Sequence, residues 1–161
     1  MKFVTLAAAA LVAALAAAPA CGYDGVDIPQ VKKQAEAGSA EAQSHLGVLY
    51  ATGVGIPQDM KEAARWYQKS ADQGFVLGQY NLAMMYLRGE GVAEDPAKGR
   101  ELLLKAAEQW LPAAQFDLGV AYLYGVGGDK NRDEAEKWLR RASTQGYRAA
   151  KKKLEELADA R

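Results

Sequence analysis

The sequence has almost none of the two residue types that most often carry metal and thiol chemistry. It contains one cysteine, Cys21, and one histidine, His45, in 161 residues. A single cysteine cannot form a disulfide within the chain, so packing alone has to hold the fold. A single histidine without further ligands at metal-binding spacing predicts a polar helix residue and no metal site. The chain has no G-x-S-x-G or H-E-x-x-H pattern, so we predict no catalytic residues, no cofactor and no enzymatic activity.

The chain also lacks an excess of charge of either sign. Lys and Arg number 20, and Asp and Glu number 20. This balance provides no field that would attract nucleic acid, and we predict no nucleic-acid partner. Basic residues cluster late in the chain, between Lys137 and Lys153, and glutamates stand directly before and after this stretch. These acidic neighbours favour a solvated helix face over a membrane-binding patch.

The one long apolar stretch lies at the N-terminus. Phe3 to Ala18 is uncharged, follows Lys2, and ends in Ala18-Pro19-Ala20, which fits the small-x-small pattern of signal cleavage. The stretch is shorter than the roughly 20 residues that a spanning helix needs. We therefore predict a signal peptide over residues 1–20 and a periplasmic location, the alternative being an uncleaved membrane anchor.

Cys21 follows this cleavage pattern directly, which makes it a candidate lipidation site. Bacterial lipoproteins are cut just before the cysteine that carries the lipid. Ala20-Cys21-Gly22 fits that pattern, whereas Pro19 and the absence of Leu at Ala18 fit it poorly. The sequence thus leaves lipid anchoring and simple secretion both open. Residues 21–26 are predicted to be a short flexible tether.

The rest of the chain repeats with a period of 36 residues and without a gap. The repeated residues include Leu46, Leu82, Leu118 and Leu154; Tyr50, Tyr86 and Tyr122; Gly53, Gly89 and Gly125; Gly55, Gly91 and Gly127; and Lys69, Lys105 and Arg141. A fixed period between 20 and 50 residues indicates a stacked array of identical units.

Each unit is predicted to contain two helices. Ala42, Leu46, Gly47 and Tyr50 share one face of the first helix, which ends at a glycine that can adopt the left-handed conformation. The second helix is predicted to begin at Asp59 or its equivalents, which are good N-cap residues. The predicted bounds are an N-terminal helix over 27–37, units over 39–74, 75–110 and 111–146, and a charged capping helix over 147–160, all within one domain over 27–160.

These residues resemble the Sel1-like repeat, a relative of the tetratricopeptide repeat. The resemblance rests on the series Ala42, Leu46-Gly47, Tyr50, Gly53-Val54-Gly55, Ala63, Trp66, Lys69-Ser70-Ala71 and Gly74, most of which recurs in the other two units. The second unit departs from it at Leu102 and Trp110, which stand where Trp and Gly are found elsewhere. The resemblance implies an all-α fold, a right-handed α-α solenoid of three helical hairpins, and a function in protein–protein interaction.

The same resemblance points to a binding face. In related tetratricopeptide arrays the first helices line a concave groove, and the groove positions of units two and three are large and apolar here. The candidate partner-binding residues are Leu77, Tyr80, Met84, Leu87, Arg88, Phe116, Val120, Leu123 and Tyr124. Exposed apolar surface of this kind marks interaction sites. The alternative is that these side chains pack between neighbouring first helices, Leu77 and Val120 above all.

Several roles are compatible with these observations. We expect a monomeric envelope protein that binds a protein or peptide partner as a scaffold, an adaptor or a toxin-immunity protein. One alternative is a small hydrolase acting on cell-wall material, although Glu41 is the only acid predicted in the groove and such chemistry needs a pair. Another is a lipid-anchored assembly factor at the membrane surface.

Overall fold

The computed structural model describes residues 26–159, and over this range the chain forms helices and no strands. The predicted signal peptide, Cys21 and most of the predicted tether lie outside the described residues. The helices are α1 Ile28–Glu36, α2 Ala40–Thr52, α3 Met60–Asp72, α4 Val76–Arg88, α5 Pro96–Glu108, α6 Pro112–Tyr124, α7 Arg132–Thr144 and α8 Arg148–Asp159. Each packs on the helix before it and the helix after it, which is the arrangement of an α solenoid. The predicted fold class is confirmed.

The loop inside each unit is built in the same way three times. The first helix ends at Gly53, Gly89 or Gly125, each with a left-handed φ, as the missing Cβ allows. The second helix begins after Asp59, Asp95 or Asn131, whose side chains accept backbone N–H groups of the first turn. The backbone N–H of each cap also donates to the backbone carbonyl oxygen of Tyr50, Tyr86 or Tyr122, at 2.9 Å in all three loops. These bonds set the angle between the two helices of a unit.

A series of glutamines forms a second repeated connection that sequence reasoning missed. Nε2 of Gln73, Gln109 and Gln145 donates to Oε1 of Gln43, Gln79 and Gln115, at 2.7 Å in each unit. Gln43 and Gln115 in turn donate to the carbonyl oxygens of Ala35 and Ala107 in the preceding unit, at 3.1 Å. Because the amides of Gln43, Gln79 and Gln115 are buried, each needs a partner. The bonds to Ala35 and Ala107 connect the ends of α1 and α5 to the first helix that follows.

Small residues allow the two helices of a unit to approach closely. A Cβ at Gly47 would collide with the ring of Tyr67, and one at Gly119 would collide with Leu139. In α8, Glu155 stands at the position of Gly119 and is exposed. A charged side chain there replaces the glycine that lets a second helix approach, so this face of α8 is polar.

Candidate partner-binding site

The structure distributes the nine predicted groove residues over three environments. Arg88 and Tyr124 are exposed, and Leu77, Leu87 and Leu123 are half-buried. The expectation of an exposed side chain is wrong for the other four, because they are in the core: Tyr80, Met84, Phe116 and Val120 are 3%, 8%, 7% and 6% exposed. Binding by any of the nine stays a prediction.

Packing between neighbouring first helices explains this burial. Phe116 and Val120 of α6 lie in a core cluster with Ala150 of α8, and the Phe116 ring lies 5.3 Å from that of Tyr147. Tyr80 and Met84 of α4 pack with Ala113 and other residues of units two and three. The large side chains of these units therefore join their first helices to one another, as the alternative interpretation of the sequence holds.

A buried hydrogen bond between α4 and α6 reinforces this contact. The Tyr80 hydroxyl donates to Oδ2 of Asp117 at 2.8 Å, and Asp117 is only 2% exposed. Burial raises the pKa of the Asp117 carboxyl to about 6, although the bond from Tyr80 and the charge of Arg88 both act to lower it. Burial first, and then the Asp117 carboxylate, raises the pKa of the Tyr80 hydroxyl well above its ordinary range. The sequence did not predict this pair. Asp117 is equivalent to His45 of unit one, and His45 is exposed, so the repeat gives no indication that Asp117 is buried.

The first helices of units one and two, α2 and α4, have no equivalent of the Tyr80–Asp117 bond. A cleft of about 300 Å³ lies between them. One repeat before Tyr80 and Asp117 stand Ser44 and Asn81. Ser44 is too short to bridge the helices as Tyr80 does, and within residues 26–159 no hydrogen bond reaches the Asn81 side chain. The residues that line this cleft, here called the α2–α4 cleft, are Ala51, Thr52, Met60, Tyr67, Tyr80, Asn81, Met84, Met85, Arg88 and Glu90.

The α2–α4 cleft combines an apolar floor with a polar rim. Three methionines lie in it, and methionine adapts its shape to apolar side chains of different outline. Asn81 offers both a donor and an acceptor at the rim, and Arg88 is 3.8 Å from Glu90 in an exposed pair that contributes little to stability. Three of the predicted partner-binding residues, Tyr80, Met84 and Arg88, line this cleft. The cleft lies between units one and two, whereas the predicted groove lies across units two and three.

The apolar floor and polar rim of the α2–α4 cleft suit the recognition of another molecule. In the described part of the chain, no group of three or more His, Cys, Asp or Glu residues is placed to hold a metal ion. None of the helices between residues 26 and 159 is both long and apolar enough to cross a bilayer.

A helical-hairpin array with a cleft between its first helices defines an α-solenoid repeat protein. The chain belongs to the Sel1 repeat family, whose model matches residues 40–75, 76–109 and 112–147. Sel1 repeat proteins mediate protein–protein interaction, and their fold is a scaffold for it.

Two solved structures are similar to the chain along most of its length. A Sel1 repeat protein from Oxalobacter formigenes is 35% identical with a TM-score of 0.74, and the match covers 81% of this chain and 98% of that one. A protective antigen of uropathogenic Escherichia coli strains, with an SLR fold, is 40% identical with a TM-score of 0.73. This second match covers 75% of the present chain but 26% of the antigen. Comparison with curated proteins gives no match.

Proposed function

We propose that the protein is an exported interaction module that binds a segment of one partner protein in the α2–α4 cleft. The observation that carries this proposal is the cleft itself, with its methionine floor and the unbonded amide of Asn81 at its rim. A large apolar side chain of the partner would fill the floor. The side chain of Asn81 would satisfy a polar group beside it, because a buried polar group without a partner is costly.

The cellular context of this proposal comes from residues 1–21. The predicted signal peptide supports a periplasmic or envelope location, and Cys21 supports a lipid anchor as an addition to it. Metabolic labelling with a fatty-acid probe separates the two states. Label on the wild type that is absent from Cys21→Ala assigns the anchor, and an unlabelled wild type in the periplasmic fraction assigns simple secretion.

Blocking the mouth of the cleft tests the binding proposal without touching the core. Thr52 is exposed and lines the cleft, so Thr52→Arg places a long charged side chain in the opening. We expect this variant to retain its melting temperature and to lose about tenfold or more of partner capture, a loss of ~1.4 kcal/mol or more in binding free energy. The measurement is affinity capture from the native envelope fraction, with each enriched protein quantified against wild-type bait.

The matched control is Tyr124→Ala. Tyr124 occupies the position of Thr52 two units later and is also exposed, but it lies outside the α2–α4 cleft. The proposal requires the same partner to be lost with Thr52→Arg and kept with Tyr124→Ala. The reverse pattern would move the site to the first helices of unit three, and equal capture by all three baits would contradict a role for the cleft.

A further inference from the structure

Trp110 is the most exposed large apolar side chain among the described residues, at 65% exposure. It also has a backbone φ of +65°, the left-handed region, where no other described residue except glycine is found. The equivalent residues of the other turns between units are Gly38, Gly74 and Gly146, with φ of 99°, 78° and 83°. A residue with a Cβ is disfavoured in this conformation. Unit two nevertheless keeps the same turn as the other units, with a tryptophan where they have glycine.

Packing does not account for a tryptophan at this place. At each of the three equivalent glycines, an added Cβ would meet nothing within 4 Å. A side chain at this turn therefore projects into solvent, as that of Trp110 does. The family model also leaves Trp110 outside its matched spans. A large aromatic side chain held away from the core is typical of an anchor for a partner.

The charges around Trp110 indicate which partner it fits. Asp72 and Glu108 are the last residues of α3 and α5 and are exposed, at the helix ends where the helix dipole adds negative potential. The two turns are neighbours, since Nε2 of Gln109 donates to the carbonyl oxygen of Gly74 at 3.0 Å. Neither carboxylate forms an ion pair within residues 26–159.

The nearest repeated lysines do not neutralise these carboxylates. Nζ of Lys69 lies 3.9 Å from the centre of the Trp66 ring, and Nζ of Lys105 pairs with Glu101 at 2.7 Å. Both lysines are thus directed toward the middle of their own helices. The next turn along the solenoid, at Gly146, is followed by the basic residue Arg148. The negative potential at the turns of Asp72 and Glu108 therefore does not continue to that turn.

We propose that Trp110, Asp72 and Glu108 form a second docking surface, which binds a basic segment of a partner protein. An Arg or Lys side chain of that segment stacks on the face of Trp110, an arrangement that the ring quadrupole favours. Its neighbouring cations meet Asp72 and Glu108. This turn surface is separate from the α2–α4 cleft and does not depend on it.

The test uses a fluorescently labelled peptide of alternating alanine and arginine, with an alanine–glutamate peptide as its counterpart. In low salt we expect the wild type to bind the basic peptide about tenfold more tightly than the acidic one. Trp110→Gly should weaken basic-peptide binding by about tenfold while leaving the melting temperature unchanged or raised, because glycine relieves the unfavourable φ. The double change of Asp72→Asn and Glu108→Gln should weaken it as well.

Tyr124→Ala is the control, because Tyr124 is the other large exposed aromatic of the described chain. This variant should bind the basic peptide as the wild type does. Unchanged binding by Trp110→Gly, or equal affinity for the two peptides, would overturn the proposal. Binding of wild type, dependent on Trp110, to vesicles of phosphatidylglycerol and phosphatidylethanolamine but not to the basic peptide would also overturn it, in favour of a lipid surface.

Discussion

Asp117→Asn is expected to stabilise the protein at pH 7.5 and to have a much smaller effect at pH 4.5. The folded-state pKa of Asp117 is raised from 3.8 to about 6 by burial. Between these values the folded state holds a proton that the unfolded state has lost, so the contribution of Asp117 to stability is full below about pH 4 and is lost as the pH rises through 6. A difference of this size between the folded and unfolded pKa corresponds to ~3 kcal/mol. Asparagine never acquires the buried charge, yet its amide oxygen can still accept the Tyr80 hydroxyl.

Urea unfolding at a series of pH values measures this effect. Every other titrating group is common to the two proteins, so the difference in their free energies of unfolding isolates Asp117. We expect the advantage of the variant to grow from about a third of its full value at pH 4.5 to about 1–3 kcal/mol at pH 7.5. A difference that stays constant with pH would show that Asp117 keeps an ordinary pKa and would contradict this account.

Tyr80→Phe is the complementary change. It removes the one hydrogen bond that Asp117 accepts from the described chain while preserving most of the packing of the ring. Because a buried carboxylate without a donor is costly, the loss should be about 1.5–3 kcal/mol at pH 7.5 and smaller at pH 4.5. In the background of Asp117→Asn the same change should have a smaller effect.

The repeated residues were sufficient to predict the solenoid. A glycine that ends each first helix, an acidic or amide cap that begins each second one, and a leucine at 0–1% exposure in each unit serve the same local purpose in every copy. Their roles depend on backbone geometry and burial within one unit. The period therefore predicts them without knowledge of how the units are oriented.

The candidate site could not be predicted in the same way, because it depends on pairs of residues from adjacent units. Tyr80 bridges to Asp117, whereas Ser44 is too short to bridge to Asn81. The junction of units one and two therefore lacks the bond that joins units two and three, and a cleft lies there. The sequence shows each residue but not its neighbour across the junction. The sequence for this reason predicts a groove for the large apolar residues of units two and three, although four of the eight are buried in the contact between first helices.

Gly91→Ala is expected to destabilise the protein by about 2–5 kcal/mol, through strain in the left-handed backbone and overpacking against the preceding unit. Gly91 has a φ of +71°, and a Cβ there would collide with the backbone carbonyl of Met60, the first residue of α3, and approach Met85. A carbonyl group in a helix cannot rotate aside as a side chain can. The loop of unit two would have to move away from unit one, and denaturant unfolding measures the loss.

Gly74→Ala is the matched control that separates the two causes. Gly74 has a φ of +78°, but an added Cβ meets nothing within 4 Å, so this variant should lose only the ~1–2 kcal/mol of the left-handed conformation. Stability in a solenoid is a sum of unit and interface contributions. The excess loss in Gly91→Ala should therefore be accompanied by faster amide exchange in α2 and α3 than in α6 and α7. Equal losses for the two variants would mean that the loop of unit two can shift freely, and that the close approach of Gly91 to Met60 does not hold units one and two together.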